Sequence, residues 1–352
     1  MIKYYTRACN FYYGKLSKFL VKTKQTLPLC GNKDISFDQI EIFKKNKKKV
    51  TSRIINIKKI KFLPKLVKSK IISDIKNITF KRKFLNKKKH VLMGILNMTP
   101  DSFSDGGKFI TSKKALNQIN KMIESGANII DIGGESTRPG SKIIHPKIEW
   151  KRVSTIVKKF KKKFPKLLLS IDTRKSFVAK NAIKNNADIL NDVSCFKFDK
   201  NIKKEIKNKN LWKVVHHMQG TPQNMQINPK YDHVILDIYD FFEKEIQKLK
   251  SINQPNKIIL DPGIGFGKNL KHNLMILSKI SIFHSLGFPI LIGTSRKRFI
   301  SEISKNFDSK ERIGGTLSSI IFSLSQGIQI FRIHNVKEVK QGILVFESLL
   351  NK

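Results

Sequence analysis

The sequence predicts an α/β protein: a closed (β/α)8 barrel over residues 78–352, preceded by a basic, poorly ordered extension over residues 1–77. Three observations carry this. From Val91 onward, eight short apolar runs alternate with segments of helical spacing. The apolar runs end abruptly in polar residues, as buried parallel strands do when they deliver their last side chains to a site. Eight such units fit into about 262 residues, the size of a closed barrel.

The extension is a different material. Through residue 90 there are 26 Lys and Arg against four acids (Asp34, Asp38, Glu41, Asp74), half of the chain's net charge of +44. The runs Lys44-Lys45 and Lys47–Lys49, and the Ile/Lys mixture from Ile54 to Ile72, show no sustained helical or strand period. Such a segment is expected to be poorly ordered or weakly helical. It is poor in the Ser and Arg of a targeting peptide, and a tether to RNA or anionic lipid is the other functional reading. No Met lies between Met1 and Met93, so a dispensable extension is favoured. A short lead-in hairpin is expected over residues 77–89.

Composition bounds the partners. Lys far outnumbers Arg, and Ile and Asn are in excess with it, as an AT-rich genome would give; groove readers lean on the planar fork of Arg, so nucleic acid is not expected. Cys9, Cys30 and Cys195 form neither a disulfide framework nor a ligand-spaced cluster, which fits a reducing cytoplasm. No apolar run approaches 18 residues, and the first 20 lack the apolar core of a secretory signal.

The strand-like runs are 91–96, 128–132, 167–172, 187–191, 212–217, 257–261, 288–293 and 328–334. The helical segments are 112–125, 148–163, 175–185, 200–208, 232–252, 270–284, 311–326 and 336–350. Gly126, Gly287 and Gly327 mark helix-to-strand returns where positive φ is useful. A doubly wound open sheet is the alternative, but Gly263-Ile-Gly-Phe-Gly267 has the wrong spacing and position for a dinucleotide fingerprint.

Chemistry in such barrels collects at the carboxyl ends of the strands. Asp172, Asn191 and Asp261 end strands three, four and six, where they can hydrogen-bond a flat, nitrogen-rich heterocycle. Arg138, Lys297, Arg332 and His334 end strands two, seven and eight and suit an anion. Arg332 and His334 alternate within an apolar strand, so both point into the mouth. His216 and His217 are adjacent on a strand, face opposite sides and make a poor metal pair. Asn97 and nearby loop oxygens could hold Mg²⁺, which needs few protein ligands. A heterocycle pocket, a diphosphate pocket and Mg²⁺ together suggest displacement of diphosphate.

Two long motifs, Gly94-Ile-Leu-Asn-Met-Thr-Pro-Asp-Ser-Phe-Ser-Asp-Gly-Gly107 and Gly133-Gly-Glu-Ser-Thr-Arg-Pro-Gly140, closely resemble the signature loops of the dihydropteroate synthase family. The match continues through Asp172-Thr173, Asn191-Asp192, His217-Met-Gln-Gly220, Leu260–Lys268, Ser295-Arg-Lys297 and Arg332-Ile-His334, in the family's order. The resemblance implies a pterin-binding TIM barrel that joins p-aminobenzoate to a dihydropterin diphosphate. By motif, Asn97 would be the Mg²⁺ ligand, and Asp172, Asn191, Asp261 and Lys297 would bind the pterin, with Met218 against its face. Thr137, Arg138, Arg332 and His334 would take the diphosphate. Phe103, Pro139, Phe266 and Ser295 would shape the p-aminobenzoate site. Asp172, Lys297, Arg332 and His334 form the implied catalytic set. The family also implies a homodimer, and loops Thr99–Gly107 and Ser136–His145 that close as lids. Asn335 departs from the family's usual Asp. The rivals are a methyltetrahydrofolate–corrinoid methyltransferase, which has no use for an anion cluster, and a degenerate barrel with an RNA-binding tail, which predicts lost site residues.

Overall fold

The structure, a computed structural model, describes residues 2–82, 84, 90–99, 112–137, 140–251, 257–305 and 308–350. Eight parallel strands form the barrel: β5 (Val91–Asn97), β6 (Ile129–Gly133), β7 (Leu168–Asp172), β8 (Ile189–Asp192), β9 (Trp212–His216), β10 (Ile258–Asp261), β11 (Leu291–Ile292) and β12 (Ile330–Ile333). They pair in sequence order, β12 returns to β5, and a single bridge between Leu260 and Ile290 joins β10 to β11 and closes the ring. Strand seven is thus far shorter than the apolar run 288–293 suggests.

Alternation along each strand explains the interior. Val91, Met93, Ile129, Ile189, Val214, Ile259, Leu291 and Ile330 form one buried apolar cluster, the barrel floor. Phe84 and Trp212 pack against it and meet edge-to-face with ring centroids 4.5 Å apart. One inward position further along stand Asp131, Asn191, His216, Asp261, Gly293 and Arg332, a polar layer on an apolar base. The opposite parity (Leu92, Ile130, Leu169, Leu190, Val215, Leu260, Phe331) faces the helices. Those helices are α3 (Ser112–Glu124), α4 (Pro146–Lys163), α5 (Ser176–Lys184), α6 (Ile202–Ile206), α7 (Val234–Lys250), α8 (Leu270–Ser278), α9 (Arg298–Ser304), α10 (Ile313–Ser325) and α11 (Val336–Leu350). The short α9 was not expected from sequence, and the expected helix 270–284 divides into α8 and a 3-10 turn at Ile280–Leu286. Gly126, Gly287 and Gly327 have φ of +100°, +87° and +78°, as their return positions require.

The extension is not poorly ordered. It folds as strands β1 (Ile2–Tyr13), β2 (Leu27–Leu29), β3 (Asn32–Asn46) and β4 (Lys49–Asn56) with helices α1 (Gly14–Lys22) and α2 (Lys65–Thr79). β3 pairs antiparallel with β1 over nearly its full length, and with β2 and β4. The boundary expected between residues 77 and 78 falls inside α2, which also replaces the start of the expected hairpin; residues 83 and 85–89 lie outside the described set. Alternation is present after all. Ala8, Ile40 and Ile42 face a private core with Leu29, Phe37, Val67, Ile71 and Ile78. The other face carries Lys3, Tyr5, Glu41, Phe43 and Lys45, and it meets the barrel.

There Tyr5 is fully buried edge-on against Tyr239, and its hydroxyl donates to Asp240 at 3.0 Å. Lys3 bridges Asp240 and Glu243 at 2.6 Å each, Lys45 pairs with Asp237 at 2.8 Å, and Lys279 with Glu41 at 2.7 Å. Ser281 donates to the Ala8 carbonyl and Asn77 to the Ser285 carbonyl, both at 2.9 Å. Many of these interface residues are charged, which hides the interface in the sequence. A lysine that meets an acid more than 190 residues away looks like a solvated lysine until both are placed.

Candidate active site

The mouth of the barrel is built on the polar layer. Asp131 on β6 is fully buried and central: Ser170 donates to its Oδ1 at 2.6 Å, and the Asn191 amide and Arg332 Nε reach its Oδ2 at 3.1 and 2.7 Å. Arg332 Nη2 also donates to Asp172 Oδ2 at 2.8 Å. One guanidinium therefore ties the ends of β6, β7 and β12 together, and among the described residues Asn191 Oδ1 is left buried with no partner. An orphaned acceptor of that kind is costly unless a ligand donates to it.

Asp172, Asn191, Asp261, Lys297, Phe266, Thr137 and Arg332 line one cavity. Val193, His216, Gly263, Ile264 and Gly293 complete its wall. Asp261 accepts the Gly263 amide at 2.8 Å. The Lys297 ammonium lies 4.0 Å from the Phe266 ring centroid. Gly133 leaves room at β6: a Cβ there would lie 3.4 Å from the Asp172 Cβ and 3.7 Å from Asn97 Oδ1. Ser295 and His334 meet through Oγ and Nδ1 at 3.1 Å. Met218 follows β9 half-buried and is not part of the cavity wall. Phe103, Arg138 and Pro139 lie outside the described residues, as do most of the first lid loop and the tip of the second.

Burial sets the protonation. It pushes Asp172 up to about 7, opposed by Arg332 and reinforced by Asp131. Asp261 rises to about 6 for the same reason, against the Gly263 amide and Lys297. Burial, aided by Arg332, lowers Lys297 to about 8. Two acids and one amine in this cavity therefore change charge near neutrality.

Two supports were not foreseen. Glu135 accepts Lys175 Nζ at 2.6 Å, Arg174 Nε at 2.9 Å and the Ile144 amide at 3.1 Å, which ties both ends of the second loop to α5; Lys175 also reaches Glu149 at 2.7 Å. Lys268, 2% exposed, donates to the carbonyls of His217 and Phe266 at 3.3 and 2.9 Å and contacts His217 Nδ1 at 3.0 Å, fixing the glycine loop to the end of β9. Asp131, Ser170 and His216 were also missed. Their signal was parity, since each is two residues from another inward position of its strand. Asn335, the departure, accepts Arg296 Nε at 3.0 Å and Nη2 at 2.8 Å, so its change stays local to the loop after β11.

Among the described residues, no three His, Cys, Asp or Glu side chains gather to hold a metal ion. Nor, among the described residues, is any helix long and apolar enough to cross a membrane.

The family model described as pterin binding enzyme matches residues 93–334. A dihydropteroate synthase of Escherichia coli is 38% identical over 261 residues, 74% of this chain and 92% of that protein. The crystal structure of a Yersinia pestis dihydropteroate synthase with a sulfonamide drug superposes with a TM-score of 0.71 at 36% identity, covering 75% of this chain and 95% of that one. A Clostridium difficile enzyme of the same name, solved in the presence of pteroic acid, gives 0.69 at 36% identity, with 75% and 97% covered.

Proposed function

We propose that this chain, which belongs to the pterin-binding enzymes as a dihydropteroate synthase, performs its family's reaction with the strand-end residues of one barrel mouth. The enzyme is a transferase. It condenses p-aminobenzoate with (7,8-dihydropterin-6-yl)methyl diphosphate, giving 7,8-dihydropteroate and diphosphate.

In our reading Asp172, Asn191, Asp261 and Lys297 hold the pterin edge. The orphaned Asn191 Oδ1 is the observation that carries this, because a ring N–H would satisfy it. Met218 is read as packing on the ring face. Breaking the C–O bond leaves a methylene cation that the ring stabilises, so the barrier is lowered chiefly by neutralising the departing diphosphate. Thr137, Arg138, Arg332 and His334 are assigned that work. Among the described residues, Arg332 Nη1 makes no hydrogen bond, while Nε and Nη2 are held by Asp131 and Asp172; the free edge is aligned for an anion before one arrives. Asp172, beside the reacting carbon in this reading, opposes the cation's charge. The arylamine, seated by Phe103, Pro139, Phe266 and Ser295, attacks with its lone pair; the new C–N bond forms and the anilinium proton leaves to solvent.

Asn97 suits Mg²⁺: a single amide oxygen at the mouth matches an ion that takes most of its shell from water and phosphate. When bound, the ion would supply positive charge to the diphosphate. A homodimer is also proposed. The faces of α10 and α11 leave Phe322, Leu344, Val345 and Leu349 about half or more exposed, an apolar area suited to a second copy. The free cysteines fit a cytoplasmic enzyme.

The test is diphosphate release with both substrates and Mg²⁺. Turnover that requires both substrates is expected; release without the arylamine would point to hydrolysis instead.

A further inference from the structure

With the cavity taken as the pterin site, one polar side chain of its wall is left without a role. We propose that His216 is a further binding residue for the heterocycle, its Nε2 accepting a hydrogen bond from the exocyclic amino group of a 2-amino-4-oxopyrimidine edge that Asp261 holds alongside it.

The placement comes from the strands. His216 and Asp261 are register partners on adjacent parallel strands, and both point inward above the apolar floor. His216 is 3% exposed and lines the cavity. Its tautomer is fixed by its neighbour: Nδ1 lies 3.2 Å from the Val193 carbonyl oxygen, which can only accept, so Nδ1 carries the proton and Nε2 presents a lone pair. That lone pair stands 3.9 Å from Asp261 Oδ2, beyond hydrogen-bond reach. Two acceptors thus sit side by side, and among the described residues no donor stands between them. Burial, with the Lys268 and Lys297 charges nearby, keeps the ring neutral and prevents an ion pair with Asp261.

The ring is also held in place. Phe266 packs edge-on against it with centroids 4.6 Å apart. Gly263 takes φ +67°, and a Cβ there would come 3.0 Å from His216 Cε1 and 2.0 Å from the His217 carbonyl oxygen. A 2-amino-4-oxopyrimidine edge offers three N–H bonds: one on the ring and two on the amino group. The Asp261 carboxylate takes the ring N–H and one amino hydrogen. The second amino hydrogen falls to His216. The residue therefore selects for the 2-amino group rather than for the ring as such.

The test compares binding of 6-hydroxymethyl-7,8-dihydropterin and its 2-desamino analogue to the full chain by calorimetry, in wild type, His216→Met and His216→Gln. Expected is about tenfold weaker binding of the 2-amino ligand by His216→Met, with the desamino ligand unchanged. His216→Gln keeps an acceptor and should recover part of the selectivity. Equal weakening of both ligands would reduce His216 to packing and overturn the proposal, as would unchanged binding of both. If the wild-type chain binds neither ligand, the cavity reading fails first and the proposal with it. Asp261→Asn separates the two failures, because it should weaken both ligands wherever the cavity is the pterin site.

Discussion

The N-terminal module and the barrel use charge in opposite ways. In the barrel, few charges are placed deep: Arg332 is held between Asp131 and Asp172, and burial raises the Asp172 carboxyl against it. In the module, charges sit on a strand face and meet acids on α7, as Lys3 and Lys45 do with Asp237, Asp240 and Glu243. The first arrangement buries charge inside a cavity, and the second joins two surfaces. Residue type alone does not tell them apart; depth and partner do.

The largest effect should come from the first kind of charge. Arg332→Ala should lower diphosphate release about a thousandfold and also lower the melting temperature, since two buried carboxylates lose their cation. A rate within tenfold of wild type would remove Arg332 from the proposed catalytic set. Deleting residues 1–82 tests the second kind. It uncovers Tyr239, Ser281 and His284, all buried here, and should lower the melting temperature by about 10 °C while the folded fraction keeps its kcat within about twofold. Loss of kcat at unchanged stability would mean that the module acts on the site. A single change within that interface, Tyr5→Ala, removes a fully buried ring and its bond to Asp240 and should cost about 3 kcal/mol by denaturant titration.

The pH dependence sharpens the contrast. Asp172, Asp192 and Asp261 are raised above their unfolded value to about 7, 6 and 6, so the native chain keeps protons that the unfolded chain has lost. Their contribution is fully present at low pH and falls as pH rises through the folded values. Glu41 at the interface runs the other way. Burial raises it, but Lys279 and Arg7 outweigh burial and hold it below its ordinary value, so its contribution is lost as pH falls. Glu41→Gln should therefore flatten the acid limb of the stability profile, and Asp261→Asn the limb near neutrality. The smallest effect belongs to Asn335→Asp. The added charge opposite Arg296 should stabilise the loop after β11 by about 0.5 kcal/mol, read as a small rise in melting temperature.

The barrel was legible because parallel strands covered on both faces read as apolar runs with polar ends, and each βα unit repeats that pattern. Asp172, Asn191, Asp261, Lys297 and Arg332 were legible as strand tips, and the structure gathers them around one cavity. Asp131 was not, because it stands one inward position before its strand's tip and looks like an interruption of Ile129-Ile-Asp-Ile. His216 reads in sequence as half of a poor metal pair, although its parity places it inside. The module was misread for a different reason. Its hydrophobic alternation survives only on the face toward α2, while the other face is filled by residues whose partners lie on α7 and the turn at Ile280–Leu286. Local pattern cannot report a contact across 237 residues.

That separation also has a meaning in time. During synthesis the module emerges first, and its private core of Ala8, Leu29, Phe37, Ile40 and Ile71 can close at once. The Tyr5 face waits for α7, which ends about 170 residues beyond α2 and at about 5–20 residues per second follows roughly 9–34 s later. For that interval the nascent chain carries a half-finished surface of lysines and aromatics. A ribosome-bound chain stalled near residue 200 would be the species most dependent on a chaperone.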